Sequence, residues 1–256
     1  MEFATPAYER IVVSLRAMAA ARRVPEGPTP DPAVQKLRVR YAKRGRMRFT
    51  SSRDFQRALE RALRLAQIPM AYSAGFHPHP KISYANAAPT GVASEAEYVE
   101  LSVTREVDPV GVRSALTASL PEGLDIVEVQ VAQAGALADR LAASRWQMVF
   151  PGLEVAALRQ ALETFLARDS VEVTRVMKQG PRAIDVRGPV VAAEVTDAPG
   201  AAVLLLTVRH TTPTVRPAEL WSALGEVSGQ GLPRPTSTRL AQGPLGEADA
   251  VLDPLA

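Results

Sequence analysis

The hydrophobic period of this chain changes in one order, and does so twice. Residues 36–42 alternate, with Leu37, Val39 and Tyr41 set between Lys36, Arg38 and Arg40, the period of a half-buried strand. Lys43-Arg44-Gly45-Arg46 then reads as a turn, and Met47-Arg48-Phe49 as the start of a returning strand. That hairpin puts Arg38, Arg40 and Arg48 on the face opposite the core. From Phe55 the spacing becomes three and four. Phe55, Ala58, Leu59, Ala62, Leu63 and Ala66 make one apolar stripe, while Arg53, Arg57, Arg61 and Arg64 fall elsewhere on the helix. Ser51 with Asp54 forms a capping box at its start.

Short strands follow at 82–84 and 98–103. A helix near 108–119 opens with Asp108 as N-cap and Pro109 at the first helical position, and a strand lies near 124–131. The later residues repeat the order: a strand at 146–150, a helix over 152–167, a hairpin of 171–177 with 182–187, a strand at 203–208, a helix over about 216–224 and a short strand. The expected fold is α+β, with two ferredoxin-like βαββαβ-type halves, additional strands in each, and antiparallel sheets. The halves span 34–135, which carries the basic residues, and 143–240. Residues 1–33 read as an N-terminal extension, with a short helix over 7–23 and a Pro-rich linker at 24–32. Residues 241–256, rich in Gly, Pro, Ala and acids, read as a loose tail.

Charge is concentrated in the first half. Residues 36–81 hold twelve Lys/Arg against two acids, a local +10 in a chain whose total is +3; the other 210 residues carry 18 bases and 25 acids. Solubility alone does not need charge gathered at one address. Basic residues beside aromatics and stiff backbone suit phosphate-rich ligands, RNA above all. The same window contains Gly75-Phe76-His77-Pro78-His79-Pro80-Lys81, with two of the three histidines. The prolines push both histidines toward extended backbone. At a spacing of two, their rings project to similar sides if the loop stays extended. Such a pair can contact phosphate or bases, share acid and base roles in cleaving RNA, or simply cap carbonyls. Glu95 and Glu97 share a face before the strand at 98–103 and would pair with neighbouring arginines or orient a histidine. Asp54 and Tyr98 join them as supporting residues.

The chain has no cysteine, which excludes disulfides, thiolate nucleophiles and Cys-ligated zinc or iron–sulfur clusters. It also has no HExxH spacing, no Walker loop, no GxGxxG and no GxSxG. No metal site is expected. No secretory leader and no span of about 20 apolar residues is legible, so a cytoplasmic location away from the membrane is expected.

Residues 37–49, Asp54 through Leu63, Tyr72 through Ser83 and Gly91 through Tyr98 together resemble the radical-SAM-linked protein family of bacteria, in its stand-alone form. The resemblance covers about 36–240. Where many relatives read Ser-His-Leu-Asp before the first helix, this chain has Ser51-Ser52-Arg53-Asp54, which removes any catalytic histidine there. The resemblance implies a radical SAM partner that carries the iron–sulfur cluster and S-adenosylmethionine, with no cofactor in this chain. Family neighbourhoods also imply RNA or a ribosomal component as the second partner.

The resulting expectation is a non-catalytic accessory protein that binds RNA. Arg38, Arg40, Lys43, Arg44, Arg46, Arg48, Arg57 and Lys81 would meet phosphates, while Phe76, His77 and His79 approach a base or the partner's site. Two alternatives stand beside it: a metal-independent endoribonuclease using His77 and His79, and a protein–protein adaptor with a basic docking face.

Overall fold

The computed structural model describes residues 29–256. The helix expected over 7–23 and most of the linker lie outside the described residues. The fold is α+β, built on a mixed, mostly antiparallel sheet of eight strands.

The first half runs β1 (Gln35–Lys43), α1 (Ser52–Leu65), β2 (Ile82–Ala85), β3 (Ala93–Val103), α2 (Pro109–Ser119) and β4 (Leu124–Val131). Its strands lie in the order β4-β1-β3-β2, every neighbouring pair antiparallel. After the short helix α3 (Leu137–Arg140), the second half runs β5 (Ala143–Pro151), α4 (Val155–Leu166), β6 (Glu172–Met177), β7 (Gly180–Asp185), β8 (Val190–Ala198), β9 (Ala201–Arg209), α5 (Pro217–Ser228) and β10 (Thr236–Gly243). Its sheet strands take the equivalent order, β10-β5-β9-β8, again antiparallel. One parallel contact joins the halves, Thr238 and Arg239 of β10 against Ala93 and Ser94 of β3. It forms because β2 has four residues and covers only Tyr98–Leu101 of β3. The rest of that edge would otherwise leave backbone groups unpaired. Antiparallel sheets were expected; the halves share one sheet, made mixed by this parallel contact.

Each half buries its own helices. Leu37, Val39, Val99 and Leu101 meet Phe55, Leu59 and Leu63 of α1 and Leu116 of α2. Met148, Phe150, Leu204 and Leu206 meet Leu158, Phe165, Leu220 and Leu224. Helix starts follow the sequence closely. Asp108 accepts from the Gly111 amide at 2.8 Å, and Ser51 accepts from the Asp54 amide at 3.2 Å. The Ser51–Asp54 box is not fully reciprocal, however. The Ser51 hydroxyl donates to the Asp54 carboxylate at 2.6 Å, so that carboxylate is spent on the cap.

Three further expectations of the fold need correction. Residues 45–49 form a 3₁₀ turn, not a returning strand, because both edges of β1 are taken by β3 and β4 and leave nothing to pair with. An additional strand in each half is also not found. Only the second half has inserted strands, and β6 and β7 pair with each other outside the main sheet. Finally, residues 241–256 are packed rather than loose. Leu255 joins Leu137 and Leu141 over Ala96 and Tyr98, and Arg140 Nη1 donates to the Ala256 carbonyl at 2.8 Å. This layer covers the sheet face opposite α1, since Tyr98 and Val99 point to opposite sides of β3.

Candidate nucleic-acid interface

That second layer decides the fate of the first arginines. Arg38 is 1% exposed. It donates to Glu100 at 3.3 Å and to the Gln133 and Gly135 carbonyls at 3.0 and 2.6 Å. Lys36 shares the same glutamate at 3.0 Å. Arg40 donates to the Glu95 carbonyl at 2.9 Å. Lys43 is buried against the Ala88 carbonyl; burial, and to a smaller degree Arg239, pull its ammonium below the usual lysine range while Glu97 pulls the other way. Arg44 is forked onto Glu95 and reaches Asp125 at 2.9 Å, contacts that hold its guanidinium even more firmly charged. Arg38 and Lys43 are therefore enclosed and brace the fold, whereas half-buried Arg40 and exposed Arg44 are each tied to Glu95 at the surface. Nor do Arg38, Arg40 and Arg48 share a face, since Arg48 sits on the 3₁₀ turn.

The supporting residues serve the same bracing. Glu95 holds Arg44. Glu97, 1% exposed, accepts from Arg239 at 2.8 Å and from the Ala88 amide at 2.9 Å. Tyr98 is buried in the second layer, and that burial raises its phenol.

Arg46, Arg57 and Lys81 remain exposed. Arg57 has one loose contact, 3.7 Å to Asp54. With exposed Arg53, Arg61 and Arg64 it forms a stripe at three and four along α1. Phe76, His77 and His79 are also exposed. Their loop does not run extended; it closes on itself. The Ser73 amide donates to the His79 carbonyl at 2.8 Å, and the His79 amide to Ser73 Oγ at 3.0 Å. Backbone donors are satisfied this way, and among the described residues neither ring has a hydrogen-bond partner. The loop base pairs with Ser102, at the far end of β3 from Gly91 and Val92. Ten strand residues separate the two ends by about 33 Å, so the histidine loop and the Arg48 turn are distinct places.

The Arg48 end is where the halves meet. Gly91 donates its amide to the Arg48 carbonyl at 2.7 Å, which ties the 3₁₀ turn to the start of β3. Opposite them stand the start of α5 and the segment leading into β10. Between lies an open cleft of about 510 Å³, lined by Arg48, Phe49, Arg216, Trp221 and Arg234 among others, with no carboxylate among its described lining residues. Arg48 stacks its guanidinium 4.7 Å from the Phe49 ring centroid. Its Nε has no partner among the described residues. Phe49 is 59% exposed. Three guanidiniums and two aromatic rings thus face one space.

Pro89, Arg216 and Pro217 are shared with a second cavity of about 290 Å³, which also contacts Trp146, Arg175 and Arg239. Arg175 forks onto Glu219 through Nε and Nη2 at 2.6 Å each, and donates to the Thr214 carbonyl at 2.9 Å. Burial alone would raise the Glu219 carboxyl, but Arg175, the Arg216 amide and their charges hold it below the usual range. Arg239, 3% exposed, lies over Trp146 with 4.6 Å to the ring centroid. Of these cleft residues only Arg48 was legible in advance as a binding candidate. Arg175, Arg216, Arg234 and Arg239 come from the second half, where bases and acids are interspersed, and only folding gathers them. Arg216-Pro217 and Pro233-Arg234-Pro235 were the available signals: stiff backbone beside isolated cations.

The family model described as "Uncharacterized protein conserved in bacteria (DUF2344)" matches residues 36–217. The chain belongs to this family. The DUF2344 match contains Arg48, Arg175 and Arg216 and ends at the first residue of α5. No curated protein matches the chain significantly. Among solved structures, an unknown protein from Galdieria sulphuraria is similar at 14% identity and a TM-score of 0.25, with 76% of this chain and 92% of that one covered. The heme complex of a DypB variant from Rhodococcus jostii RHA1 is similar at 10% identity and a TM-score of 0.18, covering 83% and 92%. At scores this low, neither likeness bears on what this DUF2344 chain binds.

Proposed function

We propose that this protein is a non-catalytic accessory subunit that binds RNA at the junction of two ferredoxin-like halves. The observation that carries the reading is the cleft of Arg48, Arg216 and Arg234, three guanidiniums beside Phe49 and Trp221 with no carboxylate among the described lining residues. Guanidiniums neutralise phosphates, and exposed rings stack on bases of any identity. The α1 stripe of Arg53, Arg57, Arg61 and Arg64 starts near Arg48 and runs about 20 Å toward the other end of β3, a second track for a polyanion.

The partner is a radical SAM enzyme that modifies RNA or a ribosome-associated substrate. Support comes from the motif resemblance over 37–98 and from the lack of any cysteine to hold a cluster in this chain. A cytoplasmic setting fits that composition. Among the described residues no helix is long and apolar enough to cross a membrane. RNA cleavage by His77 and His79 draws no support from the loop geometry, where no described group orients either ring. The adaptor reading keeps one observation of its own, since the exposed α1 stripe would equally meet an acidic protein.

One experiment separates these readings. The purified protein is incubated with mixed cellular RNA in EDTA, with and without the radical SAM partner, before and after nuclease. RNA binding without cleavage, and partner-dependent modification, is the expected result. Partner capture that survives nuclease, without any RNA binding, would replace this reading with the adaptor. Cleavage lost in His79→Ala would replace it with the nuclease.

A further inference from the structure

The two aromatic rings of the outer cleft are not equivalent. Trp221 is half-buried against the second core, and its Nε1 donates to the Leu232 carbonyl at 3.2 Å. That bond fixes the indole as part of the cleft wall. Phe49 is held differently. The Arg48 guanidinium lies over its ring, 4.7 Å from the centroid, and no other ring among the described residues stacks on it. With one side covered in this way, the residue is still 59% exposed. The opposite ring face is the surface left for a ligand, and a cation already backs it.

The other cations of the cleft are free. Arg216 and Arg234 are exposed, and neither side chain pairs with a carboxylate among the described residues. Glu219, three residues beyond Arg216, is committed to Arg175. Pro217 follows Arg216, and Pro233 and Pro235 flank Arg234; their fixed φ angles leave the backbone under both cations little to reorganise.

A flat ring face in one cleft with unpaired guanidiniums matches a nucleotide whose base is neither paired nor stacked. In a duplex each base has neighbours on both faces and a partner at its edge, so it reaches Phe49 only after extrusion, at the cost of its stacking. A single strand or a loop presents its base faces freely. The cleft, at about 510 Å³, is also on the scale of a small-ligand pocket and not of a helix. We propose that the cleft selects single-stranded RNA, laying one unpaired base on the free face of Phe49 while Arg216 and Arg234 meet the adjoining phosphates. The exposed α1 arginines meet phosphate alone, and so hold strands and duplexes alike. This inference rests on the RNA reading of the cleft.

The test measures binding of three labelled RNAs to the full chain by fluorescence anisotropy at one salt concentration. They are an unstructured twelve-nucleotide strand, the same strand paired with its complement, and a strand of equal length built from abasic residues, which keeps the phosphates and lacks the bases. The single strand binds roughly tenfold tighter than either of the others, the scale of one base stacked on an aromatic ring. Phe49→Leu keeps an apolar side chain without the ring and loses most of that difference, and circular dichroism checks its fold. Equal affinity for strand and duplex, or for the strand and its abasic counterpart, would overturn the inference and leave the RNA reading intact. A folded Phe49→Leu variant that keeps the full preference would also overturn it. Failure of every RNA to bind would end the RNA reading itself.

Discussion

Arg239 on β10 donates from Nη1 to Glu97 Oε1 on β3 at 2.8 Å, so one ion pair joins the two halves beside their only parallel strand contact among the described residues. Both side chains are almost fully enclosed, at 4% and 2% exposure. Burial works against the Arg239 charge, and Glu97 is the main group restoring it. Deleting one partner of such a pair leaves a charge without its counterion and costs about 3–5 kcal/mol. Glu97→Ala should lower the urea midpoint accordingly. A loss under about 1 kcal/mol in equilibrium unfolding would show that the junction is held by packing alone.

Arg38 and Arg57 offer a direct contrast between bracing and binding. Arg38→Ala removes one Glu100 contact and two carbonyl contacts, and should cost about 2–4 kcal/mol of stability. Its RNA affinity at any salt concentration should match wild type once folding is confirmed. Arg57→Ala should change stability by less than about 1 kcal/mol. Urea melts and RNA titrations on the two variants check this, and weaker RNA binding by folded Arg38→Ala would contradict it.

Much of the fold was legible in the residues. The Asp108 cap, the α1 stripe and the repeated order of strands and helices all sit where local period and capping chemistry put them. The basic face was not. Alternation in 36–42 reports that Arg38 and Arg40 point away from Leu37 and Val39; it does not report what covers that side. The cover comes from residues 133–141 and the chain end, about a hundred or more positions away, with no pattern linking them to β1. The turn at 45–49 failed for a similar reason, because the partners of β1 are decided by β3 and β4. The cleft is the same case in reverse: Arg48 and Arg234 are neighbours only after β10 docks against β3.

His210 should make stability depend on pH. Its Nδ1 lies 2.7 Å from the Leu141 carbonyl, which can only accept, so Nδ1 carries a proton and Nε2 accepts from Ser144 Oγ at 2.7 Å. Burial, aided by Arg239, pulls the ring below the ordinary histidine value, against the Leu141 contact. The unfolded chain therefore binds more protons than the folded one as pH falls below about 6.5. The contribution is complete above that pH and is lost progressively as pH drops toward the folded-state value. Melting wild type and His210→Gln between about pH 7.5 and 5 checks the sign, since the variant should show a shallower loss. A steeper loss in the variant would contradict it.

The central claim is that the Arg48–Arg216–Arg234 cleft binds RNA phosphates. The direct measurement is the slope of log affinity against log salt for a single-stranded RNA, comparing wild type with the triple variant Arg48→Ala/Arg216→Ala/Arg234→Ala. Each phosphate contact on a single strand contributes about 0.7 to that slope, so three lost contacts should flatten it by about 2, with weaker binding at every salt concentration. An unchanged slope and unchanged affinity in a folded triple variant would contradict the account.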